Sequence, residues 1–213
     1  MLIHPWDSAR DDAEWQDWLA AHDFGQLAVN GLPGEPPYVQ PLHFAYDAER
    51  REAVTHLARP NPLWRALEAR PEAVLSVVDD YTYIPAPWHA PADGPPEHGT
   101  PTSYYAAVQL VCRARIVDDP QEKADLLLRQ LAHFQPEGDH GHVAPGEAPY
   151  GRQLPGIRGL RLEVTGVRAK FKFGGNRPRE TRRHVSDLLA ARGGPGDATA
   201  RAQQLRRLAA DGD

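Results

Sequence analysis

Between Gly25 and Leu57, three short runs of strand-forming residues follow one another with only turns between them. Residues 26–29 form the first, Asn30-Gly31 supplies a turn, residues 38–46 read as the second and residues 52–57 as the third. Strands adjacent in sequence pair antiparallel, whereas a parallel pair needs a crossover of a dozen or more residues. The chain is therefore expected to build an antiparallel sheet or barrel rather than βαβ units. It carries no Gly-rich strand–turn–helix fingerprint for a nucleotide.

The remaining pattern adds helices around this β core. Asp7 or Ser8 can cap a helix to about His22, on which Trp15, Trp18 and Leu19 fall at i, i+3 and i+4. Residues 61–69 read as a short helix with Asn61 as cap and Pro62 at its first position. Further strands are expected over 73–78, 103–117 and 157–172, the last broken near Gly166. Helices are expected over 120–134, 179–191 and 199–209. Residues 84–101 form a proline-dense loop too long to be a mere connector. A main domain over 1–178 with a helical C-terminal extension over 179–213 follows.

With 41% hydrophobic residues, the 213-residue chain can bury a sizeable core, and 21 prolines and 18 glycines imply long, stiff loops. A net charge of −5 argues against a nucleic-acid binder, although arginines gather near the C-terminus. The single cysteine, Cys112, lies in an apolar run and reads as a buried strand residue in a reducing compartment. Neither a leader pattern nor an apolar run of about 18 residues is visible, so a cytoplasmic chain without a membrane span is expected.

Several segments can carry chemistry. Of ten histidines, His140-Gly141-His142 falls in a Gly/Pro loop and has no third ligand tied to it by spacing. His56 ends a predicted strand just before Pro60-Asn61-Pro62. A stiff turn there can aim it at a ligand, or the ring can simply pack. The helix start at Asn61 can hold an anion or serve only as a cap. Tyr81, Tyr83 and Trp88 lie on or beside the Pro-rich loop, where aromatics can cover a planar ligand or pack. Of Tyr104 and Tyr105, adjacent on a strand, one should be core and the other face a pocket. Lys170 and Lys172 should share one face and Phe171 and Phe173 the other, with Gly174-Gly175 allowing close backbone approach to an acidic ligand. No paired-carboxylate, Ser/His/Asp or P-loop pattern stands out.

At these residues the sequence resembles the FMN-binding negative transcriptional regulators. Leu2-Ile3-His4-Pro5 and Phe24-Gly25 are similar to that family's opening. The run from His56 through Ala58, Arg59, Asn61, Pro62 and Trp64 to Arg65 is similar to its most specific motif, and Tyr83-Ile84 to Trp88 and Pro101-Thr102 are similar to two more. The resemblance implies an antiparallel split β-barrel of α+β, mainly β class, usually dimeric. Four ligand-facing motifs differ: Ser103-Tyr104 for Trp-Asn, Gln109 for histidine, Pro85 for serine, and Phe173-Gly174-Gly175 for Leu-Ser-Gln. With Pro101 to Tyr105 and Lys170 to Asn176, the chain is more similar to an offshoot of that family, the haem-dependent piperazate synthases.

That resemblance implies haem b, and cyclisation of N5-hydroxy-ornithine to piperazic acid for nonribosomal peptides. It makes His56 the expected axial ligand of the iron. Arg59, Asn61, Trp64, Arg65, Trp88, Lys170, Gly174 and Gly175 become cofactor-binding candidates, with Tyr104, Tyr105, Gln109 and Lys172 as catalytic candidates. A homodimer is expected. The competing readings are an FMN-binding oxidoreductase or regulator of the parent family, a DNA-binding regulator, and a haem-degrading split barrel.

Overall fold

A computed structural model describes residues 1–91 and 94–210. Two positions of the expected proline-dense loop, 92 and 93, and the last three of the expected C-terminal extension lie outside the described residues. The strands are β1 (Phe24–Val29), β2 (Tyr38–His43), β3 (Ala45–Asp47), β4 (Glu52–Ala58), β5 (Glu72–Ile84), β6 (Thr102–Val117) and β7 (Ile157–Lys172). The helices are α1 (Asp12–Ala20), α2 (Leu63–Ala69), α3 (Pro120–Phe134), α4 (Arg179–Arg192) and α5 (Asp197–Ala210).

The seven strands form one sheet in the order β2-β1-β5-β6-β7-β4-β3, and it does not close on itself. β1 pairs antiparallel with both β2 and β5, and β4 pairs antiparallel with β3 and β7. This is the expected antiparallel α+β architecture. Among the described residues, no helix is long and apolar enough to cross a membrane.

The chain clusters into two compact units. One comprises residues 1–15, 78–108 and 169–213; the other comprises 16–77 and 109–168. Helices α4 and α5 thus cluster with the N-terminus and with 78–108, a different division from a break at 178.

Four expectations need correction. The first helix starts at Asp12 rather than Asp7 or Ser8: Pro5–Asp7 is a 3-10 turn, and Ser8 is bridged antiparallel to Lys170. Asp11 then caps the helix, its carboxylate accepting the Glu14 amide at 2.8 Å. The expected strand 38–46 is two strands. At Phe44 the backbone amide turns away to donate to Asp23 O at 2.9 Å, and the next residues pair with β4 instead of β1. β5 continues to Ile84 because its alternation changes phase: Val78 and Asp79 are both exposed, and Asp80, with φ 56°, swings the following residues to the other face. β7 is continuous through Gly166, which demands no special backbone conformation.

Trp15, Trp18 and Leu19 are all buried, as their spacing predicts, and so is Cys112. Burial pushes the Cys112 thiol up to about 12, so it stays protonated and inert at neutral pH.

Candidate functional site

The candidate residues fall into two groups, one in each unit. The first group centres on His56 of β4. Its register partner on β7 is Gly159, where a Cβ would press on Leu126 at 3.0 Å and Val117 at 3.1 Å. The bare glycine therefore lets α3 lie close over the β4–β7 pair. From α3, Gln130 reaches His56, with its Oε1 2.7 Å from the imidazole Nδ1. An amide oxygen only accepts, so Nδ1 carries the ring proton and Nε2 keeps its lone pair. His43 packs edge-on to His56 at 5.8 Å and to Phe134 at 5.1 Å between ring centroids. Desolvation, and secondly the neighbouring His56, hold His43 below the usual histidine range.

His56 borders two recesses. One of about 250 Å³ is walled mainly by Leu127, Leu131, Val143, Leu154 and Ile157, with Tyr150 and Gln153 as polar groups. The other, of about 310 Å³, is bounded by His43, Gln130 and Phe134 and shares Leu127 and Leu131. A half-buried imidazole with one nitrogen fixed, set in a mostly aliphatic wall, is suited to ligating a metal within a flat apolar cofactor.

The neighbouring candidates are more occupied. Arg59 donates from Nε to Pro155 O at 2.7 Å and pairs with Asp118 at 3.4 Å. Asn61 donates to Gln40 Oε1 at 2.9 Å, and its own Oδ1 accepts the Leu63 amide at 3.1 Å. The helix itself begins at Leu63, not at the expected Asn61–Pro62, with Pro62 at its N-cap and its first amide already held by Asn61. Trp64 is only 3% exposed, donates its indole N–H to Ala58 O, and carries Arg158 over its ring. It packs in the core and borders neither recess. Arg65 is exposed, and Gln109 is half-buried on β6.

The second group lies in the other unit, around a more polar recess of about 250 Å³. Tyr104 is the core member of its pair, 1% exposed, and Tyr105 is half-buried. His89 places Nδ1 3.0 Å from Thr100 O, so Nδ1 donates there and Nε2 accepts from the Tyr104 hydroxyl at 3.3 Å. Gln204 donates its Nε2–H to the same hydroxyl at 3.3 Å. Burial pushes Tyr104 up to about 12 and His89 down, so at neutral pH the phenol holds its proton and the imidazole stays neutral.

Lys170 and Lys172 share a face, with ammonium groups 5.7 and 5.9 Å from the Tyr105 ring centroid, while Phe171 and Phe173 are buried opposite. Lys170 donates to Leu2 O at 2.9 Å and lies 4.0 Å from the buried Asp7 carboxylate. Lys172 donates to the Thr102 hydroxyl at 2.7 Å. Its pKa is lowered first by burial and then by Lys170. Trp88 is half-buried under the Arg192 guanidinium, 4.5 Å from its ring centroid.

Gly174 lines the polar recess, and both Gly174 and Gly175 are also demanded by the packing of the chain. Gly174 has φ 76°, and a Cβ there would collide with the Tyr104 hydroxyl; a Cβ on Gly175 would collide with Trp6 O. The space is taken up by the chain itself.

The structure thus brings Tyr104, Tyr105, Lys170, Lys172, Gly174 and Gly175 into one unit, and His56, Arg59 and Asn61 into the other. It adds Gln130, His89 and Gln204, which sequence reasoning missed. Gln130 did leave a signal: it is a polar residue in register with Leu126, Leu127 and Leu131 on the apolar stripe of α3. His89 and Gln204 left none, because they meet Tyr104 only in the folded chain.

The chain is 24% identical over 180 residues to "Protease synthase and sporulation protein PAI 2" of Bacillus subtilis, covering 83% of each. Its fold is similar to that of the flavocytochrome Anf3 of Azotobacter vinelandii, with TM-score 0.61 and 20% identity over 79% of this chain and 71% of that one. It is also similar to a FAD and heme binding protein of Mycobacterium smegmatis, with TM-score 0.59 and 19% identity over 79% and 74%. Residues 1–166 match the family described as "Putative FMN-binding domain", and by that match over most of its length the chain belongs to this FMN-binding domain family.

Proposed function

We propose that the protein binds haem b through His56 and acts as a dehydrating N–N bond-forming cyclase of the piperazate synthase kind, with N5-hydroxy-ornithine as substrate. The observation that carries the reading is the His56–Gln130 bond, which leaves an imidazole lone pair beside a mostly aliphatic recess. The residues fit the group: an axial ligand needs a fixed tautomer, and the faces of a macrocycle need apolar walls. Haem iron, when bound, supplies a Lewis acid toward an N–OH group. Likeness to proteins whose names join a flavin or flavocytochrome with haem is compatible with this cofactor.

The reaction balances without an external oxidant or reductant. The α-amine nitrogen attacks the hydroxylamine nitrogen, the N–N bond forms and the N–O bond breaks. The amine gives up one proton, and the departing hydroxide takes one and leaves as water. Lys172 belongs to the other unit and lines neither recess at His56; burial and Lys170 make its ammonium easier to deprotonate, which suits proton exchange in its own recess. Tyr104, in that same recess, keeps its proton and is a fixed hydroxyl rather than a base. Holding both substrate nitrogens in contact lowers the entropic cost of ring closure.

The second reading is an FMN-binding protein, which the family match favours. Titration of the purified protein with haem b and with FMN separates the two. A Soret band that saturates at one haem per chain and is lost in His56→Ala supports the haem reading. An FMN spectrum with no haem titration would sink it. A haem complex unable to convert N5-hydroxy-ornithine would remove the cyclase assignment but leave the cofactor.

A further inference from the structure

We propose that Gln130 is a positioning residue that determines which ring nitrogen of His56 keeps its lone pair. The inference deepens the haem reading, but its observable belongs to the chain without any cofactor. Gln130 is 4% exposed, and its Oε1 lies 2.7 Å from His56 Nδ1. A carboxamide oxygen in that place selects the Nδ1–H tautomer, leaving Nε2 free to ligate; a donor there would select the reverse.

The helix that carries Gln130 is tied to the strand that carries His56. Next to Gln130, Arg129 donates to Glu52 Oε1 at 2.7 Å, four residues before His56 on β4, and lies 3.5 Å from Asp47. Nearer the start of α3, the buried Lys123 donates to Leu154 O at 2.5 Å and to Ile157 O at 3.2 Å. With both stretches of α3 anchored, the backbone of Gln130 is held beside β4, and its buried side chain reaches His56 from there.

The other half of the amide strengthens the point. Among the described residues Gln130 Nε2, which is buried, has no hydrogen-bond partner, although the residue borders the recess shared with His43 and Phe134. An aliphatic residue would fill this place on the apolar stripe of α3 without leaving a buried donor unpaired. A glutamine that keeps one half unpaired is accounted for by what its other half does, which is to accept from His56.

Nitrogen-15 NMR of the His56 ring in the cofactor-free full chain tests this, at a pH where the ring is neutral. The wild type should show mainly the Nδ1–H form. In Gln130→Leu the ratio of Nδ1–H to Nε2–H should fall about tenfold, toward the Nε2–H form that a free side chain favours. Gln130→Glu keeps an accepting oxygen and, read at a higher pH where the ring beside a carboxylate is also neutral, should retain the Nδ1–H form. Circular dichroism and thermal melts identify folded variants, and Gln130→Met replaces the leucine variant if that one does not fold. A folded Gln130→Leu or Gln130→Met protein with the wild-type tautomer ratio would overturn the proposal. A tautomer shift in a protein that never binds haem would leave the positioning role standing and remove the haem reading alone.

Discussion

Replacing Gly174 by alanine tests whether that glycine serves the chain's own packing or a ligand. Two costs are expected. At φ 76° any side chain strains the backbone, by about 1–2 kcal/mol. The added methyl also collides with the Tyr104 hydroxyl. Tyr104 is 1% exposed and held by His89 and Gln204, so it cannot retreat, and overpacking of this kind costs about 1–3 kcal/mol. The sum is roughly 2–5 kcal/mol. In a Tyr104→Phe background the colliding oxygen is gone, and the alanine should cost little more than the backbone strain. Tyr104→Phe alone should cost about 1–3 kcal/mol, because His89 and Gln204 lose a partner. The double variant should therefore be less unstable than the two single changes predict, with a coupling of about 1–3 kcal/mol. Urea denaturation of the four proteins reads the cycle. If Gly174→Ala costs the same in both backgrounds, or lies within about 0.5 kcal/mol of wild type, the close-packing explanation fails and room for a ligand becomes the better account.

Two further outcomes follow from buried charge in the same unit. Asp197 is held down to about 2, chiefly by the Arg192 guanidinium and also by Thr82 and the Gly194 amide, against 3.8 for a free carboxyl. Its folded pKa is depressed, so the roughly 2 kcal/mol it contributes is present above pH 3.8 and is lost as pH falls toward about 2. Asp197→Asn should flatten that acid limb in thermal melts, and an unchanged slope would refute the assignment. Arg207→Met should destabilise by about 1–3 kcal/mol, since the buried Glu14 carboxylate loses the partner it meets at 2.8 Å while keeping Arg10 and Arg206, and the Ser8 carbonyl loses a donor. A loss below about 1 kcal/mol in chemical denaturation would show that Arg206, 3.2 Å from the same oxygen, replaces it.

Local signals in the sequence were enough for the elements whose signals are local. Helix α3 begins at Pro120 because Asp119 accepts the Glu122 amide, and its bounds can be read directly from that cap and the apolar stripe. The alternation of Tyr104 with its neighbours, and of Phe171 and Phe173 with the two lysines, likewise needed only the two-residue period. What could not be read depended on contacts between distant segments. The turn of the backbone at Phe44 is made by Asp23, twenty-one positions away in sequence. The phase change at Asp80 has no glycine to announce it. Nor does the sequence contain a sign that the Tyr104 hydroxyl and the Trp6 carbonyl press close on Gly174 and Gly175.

The same distinction bears on the cofactor. A flavin is held by directional hydrogen bonds along the edges of a polar ring system, so a flavin site should be rich in donors and acceptors at its wall. The recess at His56 has few: Gln153 and Tyr150 among leucines, a valine and an isoleucine. Gln130 Oε1 is committed to His56 Nδ1, and its amide nitrogen is buried. A macrocyclic metal cofactor asks for the opposite arrangement, one oriented ligand and otherwise apolar contact. The residues of the other unit, two lysines over a tyrosine ring and a phenol that keeps its proton, do not discriminate, since carboxylates and phosphates would both suit ammonium groups. The choice between haem and flavin therefore rests on a single strand residue and the helix that orients it.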